Sequence, residues 1–507
     1  MISKAFSRLG GALAVLTLVL TPAMAEEVLR VPLSVDIGTF DPDNGFEIGA
    51  MSAIDNVYEG LVEYAPGSTE IVGQLAERWE VGADELSYTF HLRDGVSFHD
   101  GTPLDAAAVV QSFERRRTGE LALSYFLGNV TDIAASDPAT VVITLGHKQP
   151  SFIHVLASAW GPKVISPKVF AEHAGSDLAA SWLNEHAVGT GPFTLTEFKR
   201  GEGYALKRND AYWGAKPFFE EIRLPVVPDL SQQILQLQAG ELDAVPDGYP
   251  VAQLAGLPAT LEVSAAPNMT QFQIYTKPGT AMDDAAVRSA VLTAINPALW
   301  MKDIFGDYAE LSKSLYQNAM LDPAVPVSFP TDLEAAKAAI AAHGPVQLRI
   351  GVQSEVVSYA RIAELMVAQL ATIGVKASVE VLPLGAAYVM KGDAKAPDML
   401  LTIANPDAAH PESQAKTYFT TDAVLNFYGR SLPEADALVN EAGLMTDVAA
   451  RDALYEQAGH MYFDAGYAIP LVDADDVVVH AKGLVDLGLR PAFPQGNIDY
   501  GTARWAP

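Results

Sequence analysis

QLRIGVQSEVVSYARIAELMVAQLATIGVKASVEVL, residues 347 to 382, decides the fold class. Gln347 to Val352 reads as a strand, and Tyr359 to Ile373 repeats its apolar positions at helical spacing. Gly374 ends the helix, and Val375 to Leu382 returns to the β-branched alternation of a strand. Strand, helix and strand in that order make a crossover, which lays down parallel strands through a right-handed connection. Downstream, Met399 to Ile403 is a further apolar strand, and Asn405-Pro406-Asp407 turns the chain out of the sheet. In open α/β sheets ligands sit beyond the carboxyl ends of strands, so this turn is a candidate edge of a cleft.

The same alternation of elements runs outward from this unit. Thr331-Asp332-Leu333-Glu334 reads as a capping box that opens an Ala-rich helix ending at Gly344. Leu230 to Ala239 is predicted helical, with Asp229 as its cap and Gly240 just past its end. From about Pro246 to Pro267 the chain turns rich in Pro, Gly and small residues, consistent with a return from one lobe toward another. Nearer the start, Val28 to Val35, Ser87 to Leu92 and Thr140 to Leu145 read as strands, Asp41-Pro42 as a break, and Met51 to Gly60 as a helix. Thr102 is expected to cap a helix with Pro103 at its first position and Asp105 completing a capping box, the body running to Arg117.

Bulk composition narrows the function classes. The 507 residues suggest two to four domains. Lys and Arg total 33 against 62 Asp and Glu, a net charge of −29 that repels phosphate backbones and excludes nucleic acid as a partner. The same acidity keeps a secreted protein dispersed and favours cationic ligands. There is no cysteine, hence no disulfide and no lipid-anchoring cysteine after cleavage. Lys4 and Arg8 precede the apolar run Leu9 to Leu20, and Ala23-Met24-Ala25 supplies a small-x-small cleavage site, so residues 1 to 25 read as an export signal. Gly10, Gly11 and Thr17 make that run a poor membrane anchor. The expected location is the periplasm, without lipidation.

Several segments carry a resemblance. LAERWEVGADELSYTFHLRDGVSFHDGTPLDAAAVVQSF at Leu75 to Phe113 is the most specific. VGTGPFTLTEF at Val188 to Phe198, LKRNDAYWG at Leu206 to Gly214 and LQAGELDAV at Leu237 to Val245 follow in order, with weaker echoes in AVRSAVLTAIN at Ala286 to Asn296 and YAIPLV at Tyr467 to Val472. Together they resemble the peptide/nickel branch of the bacterial extracellular solute-binding proteins, family 5, the receptors of ABC importers. The resemblance implies an α/β, two-lobed periplasmic-binding-protein fold (type II, cluster C) with a hinge and an extra subdomain on the first lobe. Residues 26–60, 180–265 and 476–507 are expected to form lobe I, 61–179 its subdomain, and 266–475 lobe II. It also implies a monomer that needs no cofactor, closes on a small-molecule ligand, and hands it to permease subunits served by a separate ATPase. A peptide is the leading ligand; a nickel or other metal chelate and an opine- or sugar-like solute stay open. Most signature residues read as architecture: Asp94-Gly95 and Asp100-Gly101 as turns, His99, Gly189, Gly191 and Pro192 as supports of backbone direction, Tyr212 and Trp213 as packing.

The resemblance places an aspartate that receives a ligand's α-ammonium on Asp407; a plain Asx-turn after Pro406 is the competing reading. Asn405 shares that turn. Ala404 stands where relatives carry an aromatic ring, which opens space for a bulkier ligand or moves the stacking surface to Trp160 or Phe427. His410 replaces a second acidic residue; it could donate to a carboxylate, complete a metal chelate, or sit as an exposed turn histidine. Arg115, Arg116 and Arg117 close a helix and could bind a carboxylate, although a solvated helix end is the simpler expectation. A secreted hydrolase is the competitor from another class. No Gly-x-Ser-x-Gly elbow, His-Glu-x-x-His motif or cysteine nucleophile is present, and Ser413-Gln414-Ala415-Lys416 fits Ser-x-x-Lys without a Lys-Thr-Gly partner.

Overall fold

The computed structural model describes residues 27–354, 357–383, 385–492 and 496–507. The expected export signal lies outside them. The crossover that opened the sequence reading forms as expected. Gln347–Gln353 and Lys376–Leu382 pair in parallel from Gln347↔Lys376 to Gln353↔Leu382, with the helix Val357–Ala371 between them. Met399–Ala404 joins the other edge of Gln347–Gln353, also in parallel.

These strands belong to the largest sheet, and two of its members are unusually long. Leu261–Thr276 and Ala468–Ala481 run antiparallel with 16 and 14 residues. Their register breaks between Ala266 and Thr270, and this break divides the molecule. On one side, Leu261 to Ala266 and Asp476 to Ala481 pair with each other, the latter carrying the short strand Ala244–Val245, and Val478 and Ala244 enter a core that runs from Leu29 to Ala503. On the other side, Gln271 to Thr276 pair with Met399–Ala404, and the core changes to a set from Phe272 to Ala474. Two bodies thus share one pair of strands. Bulged antiparallel ribbons bend at the bulge, so the ribbon changes direction where the core changes.

The first body holds two further four-stranded sheets. One orders Val28–Arg30, Glu221–Pro225, Gly203–Arg208 and Phe193–Lys199; the other orders Ala76–Val81, Ser87–Leu92, Thr140–Leu145 and Val130–Asp137. Ser87–Leu92 buries every second residue, Tyr88, Phe90 and Leu92, as its alternation requires. Leu230–Ala239 is a helix with the expected Asp229 cap, whose side chain accepts from Gln232 N, and Gly240 ends it at φ 75°.

Three local expectations shift. The helix expected from Thr102 begins at Ala106, capped by Asp105, whose carboxylate accepts from Ala108 N at 2.9 Å. Thr102 and Pro103 instead close a tight hairpin: Phe98 N donates to Thr102 O, and Gly101 takes φ 82° between them. Asp332, not Thr331, caps the helix Leu333–His343, accepting from Ala335 N. Strand character at Val28 lasts only to Arg30, with a single bridge at Leu33.

Candidate functional site

Among the places where the two bodies meet is one short stretch of the second, residues 407–412. It follows Met399–Ala404 and leads into the helix Pro411–Tyr418, so a central strand and a capped helix hold it from both ends. Four hydrogen bonds reach it from the first body. Tyr125 donates its hydroxyl to Asp407 Oδ2 at 3.0 Å, Ser158 donates to the Asp407 carbonyl, Ala409 N donates to Tyr64 Oη at 3.0 Å, and Ser151 donates to Glu412 Oε2 at 2.5 Å. Ala409 is buried against the first body's core. The structure is therefore that of a closed seam.

Asp407 is the chemical centre of this seam. Its side chain stays partly accessible, accepts one bond from Tyr125, and forms no ion pair among the described residues. Surrounding protein withholds water from the charged form and raises its pKa to about 6, with the Tyr125 bond pulling the other way. Aromatic rings approach from both bodies. Trp160 N donates to Ser158 Oγ, which ties the Trp160 backbone to the Asp407 turn, and the Trp160 ring stacks on half-exposed Phe46 at 5.5 Å. The Trp160 indole N–H is buried without a partner among the described residues. In the second body, Phe427 packs among Tyr275 at 4.9 Å and Tyr388 and Tyr418 at 6.4 Å; Tyr388 is well exposed.

The remaining residues singled out in the sequence are placed differently. Ala404 has no exposed surface: it packs in the core cluster with Tyr275, Leu315 and Phe427, and its carbonyl accepts from Gln317 Nε2. The space that a missing ring would leave is filled by these neighbours. Asn405 is held through its backbone, N and O both bonded to the Tyr418 hydroxyl at 3.0 Å, while Thr270 donates to its Oδ1. His410 is not an exposed turn residue. It is 2% exposed and caps the helix Pro411–Tyr418, Nδ1 accepting from Glu412 N at 3.1 Å. Its ring lies 5.3 Å from that of His154 in the first body, because closure covers both. Burial keeps both imidazoles neutral: His154 is lowered to about 4, and His410 falls well below its ordinary value, with the Arg451 charge adding to both shifts. No group of three or more His, Cys, Asp or Glu side chains suited to a metal ion occurs among the described residues.

Arg115 and Arg116 depart furthest from expectation. Instead of a solvated helix end, both are buried, at 3% and 0% side-chain exposure. Arg115 grips Asp41 through two bonds of 2.9 and 2.7 Å and also reaches Asp43; Arg116 binds Asp43 at 2.5 Å and the carbonyls of Trp160 and Pro42 at 2.6 Å. Only Arg117 stays near the surface, paired with Glu114. The Ser-x-x-Lys match dissolves too: Ser413 Oγ accepts from Ala408 N, while Lys416 pairs with Glu412 at 2.5 Å.

The signature residues join the frame of the first body. His99 bonds Gly189 and Gly191, linking two of the signature segments. Tyr212 and Trp213 both donate to Glu59, as does Thr190, so one buried carboxylate gathers them. Its burial raises Glu59 to about 7. Sequence reasoning missed Glu59, Tyr125, Tyr64, Ser151, Ser158 and Phe46; none stands in a motif, and Tyr125 lies 282 residues before the carboxylate it meets.

Comparisons with known proteins agree with this architecture. The profile of "Bacterial extracellular solute-binding proteins, family 5 Middle" matches residues 70–426, more than half of the chain. The chain is 32% identical over 277 residues to the "Probable D,D-dipeptide-binding periplasmic protein DdpA" of Escherichia coli K12, an alignment covering 53% of each, so it spans about half that relative's length. It is 27% identical over 450 residues to "Di/tripeptide-binding protein 2" of Pseudomonas aeruginosa, covering 82% of this chain and 83% of that one. The solved structure of the periplasmic binding protein DppA from Helicobacter pylori, in complex with peptide STSA, superposes with TM-score 0.79 at 23% identity over 95% of this chain and 99% of that one. That likeness concerns the fold: two lobes of a periplasmic binding protein.

Proposed function

The chain belongs to the bacterial extracellular solute-binding proteins, family 5, and from that premise we propose that it is the periplasmic peptide receptor of an ABC importer. In this reading the two bodies are lobes that open at the bulged ribbon near Ala266 to Thr270, where the register of the two long strands shifts. The chain is expected to leave the cytoplasm through its N-terminal signal; among the described residues no helix is long and apolar enough to cross a membrane. Capture is closure. A ligand that touches both lobes favours the closed state by its differential affinity, and the permease would recognise that state.

One observation carries the reading: Asp407, a carboxylate without an ion-pair partner among the described residues, sits where the two lobes meet and where Tyr125 reaches across. A peptide's α-ammonium is a fitting partner, since a hydrogen bond between charged groups adds about 1.5–3 kcal/mol net. The protein is taken to be a binder and not a catalyst, because Ser413 and Lys416 are each committed to other partners. Native mass spectrometry of the mature protein from its own periplasm tests the ligand. A co-purifying mass that fragments into amino acids is expected; a metal-bearing or sugar-derived mass would replace the peptide reading. Hydrolysis of peptide or ester substrates, abolished by Ser413→Ala, would sink the receptor reading altogether.

A further inference from the structure

Resting on the peptide reading, we propose that the receptor reads only the ammonium end of its ligand by charge, so that peptides with a blocked C-terminus are ligands equal to free ones. Four observations lead there. Among the described residues no cationic side chain pairs with Asp407, and the one hydrogen bond to its carboxylate comes from the neutral Tyr125 hydroxyl. The two guanidinium groups built into the adjacent wall are committed. Arg116 spends its three nitrogens on Asp43, Trp160 O and Pro42 O, and Arg115 is held by Asp41, Asp43 and Leu178 O. Two arginines against two aspartates leave that wall neutral, and Asp407 adds a net negative charge. Reclaiming either arginine for a ligand carboxylate would take a guanidinium away from a buried aspartate, Arg115 from Asp41 or Arg116 from Asp43, a heavier loss than the new pair returns.

The third observation concerns the surfaces beside that carboxylate. Tyr125, whose hydroxyl meets the carboxylate, is 54% exposed, and Trp160, tied to the Asp407 turn through Ser158, stacks on Phe46, itself 49% exposed. Such faces attract an ammonium and its apolar substituents and offer nothing to an anion. The fourth is the Trp160 indole N–H, a buried donor without a partner among the described residues; being neutral, it suits a peptide carbonyl as well as a carboxylate. The net charge of −29 acts in the same sense at long range, drawing cations and resisting anions.

Titration calorimetry on the mature protein with three probes decides it: the dipeptide Leu-Phe, Leu-Phe amide and N-acetyl-Leu-Phe. The amide is expected to bind within about fivefold of the free dipeptide, while N-acetylation weakens binding by about tenfold or more. An amide weaker by more than about fivefold, with N-acetylation still damaging, overturns this inference and leaves Asp407 as the ammonium receptor. Undiminished binding of the N-acetyl form, or no binding by any of the three, removes the peptide reading and this inference with it.

Discussion

Two turns of this molecule look alike in sequence and end in opposite states. Asp41-Pro42-Asp43 and Asn405-Pro406-Asp407 each set an aspartate after a proline at an edge of the chain's secondary structure. In the first, Arg115 and Arg116 arrive from a helix and bury both carboxylates at 0% and 1% side-chain exposure. In the second, the side chain to arrive is Tyr125, a neutral donor from the other lobe. The difference teaches that a carboxylate is made structural or available by its partner and not by its own turn. Glu59 stands between them, buried like Asp41 but held by neutral donors, three where Asp407 has one.

The largest expected effect comes from breaking the closed pair. Arg116→Ala removes one of the two guanidinium partners of Asp43 and the donor to the carbonyls of Trp160 and Pro42 inside the first lobe, and should cost about 3–5 kcal/mol in urea unfolding. A loss below about 1 kcal/mol would mean that the cluster is as dispensable as a surface pair. Next is Glu59. Its folded pKa of about 7 lies above the unfolded value, so the native state holds the proton longer and stability falls as pH rises from the unfolded carboxyl range through 7. Glu59→Gln keeps partners for Thr190, Trp213 and Tyr212 and should flatten that decline, worth about 3 kcal/mol by linkage. An equally steep pH profile in the variant would assign the effect elsewhere.

Asp407→Asn should behave in the opposite way to Arg116→Ala. Thermal unfolding is expected to stay level or rise, because a desolvated carboxylate is removed, while affinity for a free dipeptide falls by about 10- to 100-fold. Loss of fold together with affinity would make Asp407 a second Asp43. In the native protein, protonation at about 6 predicts that affinity is full above that value and drops by about tenfold by pH 5, a midpoint that calorimetry across the range would locate. The smallest effect is expected from Tyr125→Phe. It should weaken binding only a few-fold, and removal of the bond that lowers the Asp407 pKa should move the midpoint above 6. A midpoint that moves downward would exclude that bond as the cause.

The parallel crossover at 347–382 and the helix Leu230–Ala239 were legible because alternation, helical spacing and terminal glycines are local features. So was the Asp407 turn, whose place beyond a strand end follows from chain order. The state of its neighbours was not. Ala404 looked like open space and is filled by residues such as Leu315, from 89 positions earlier in the chain; His410 looked exposed and is covered by closure. The helix start at Thr102 was misplaced because a hairpin closed by Gly101 competes for the same residues.

From sequence alone came the element order, the acidic balance and the family, since each is written in residue types and short spacings. Tertiary structure alone decided which charges are spent and which remain, because Arg115 meets Asp41 across 74 residues and Tyr125 meets Asp407 across 282. Charge interactions depend on distance and burial in space, and no local pattern encodes either.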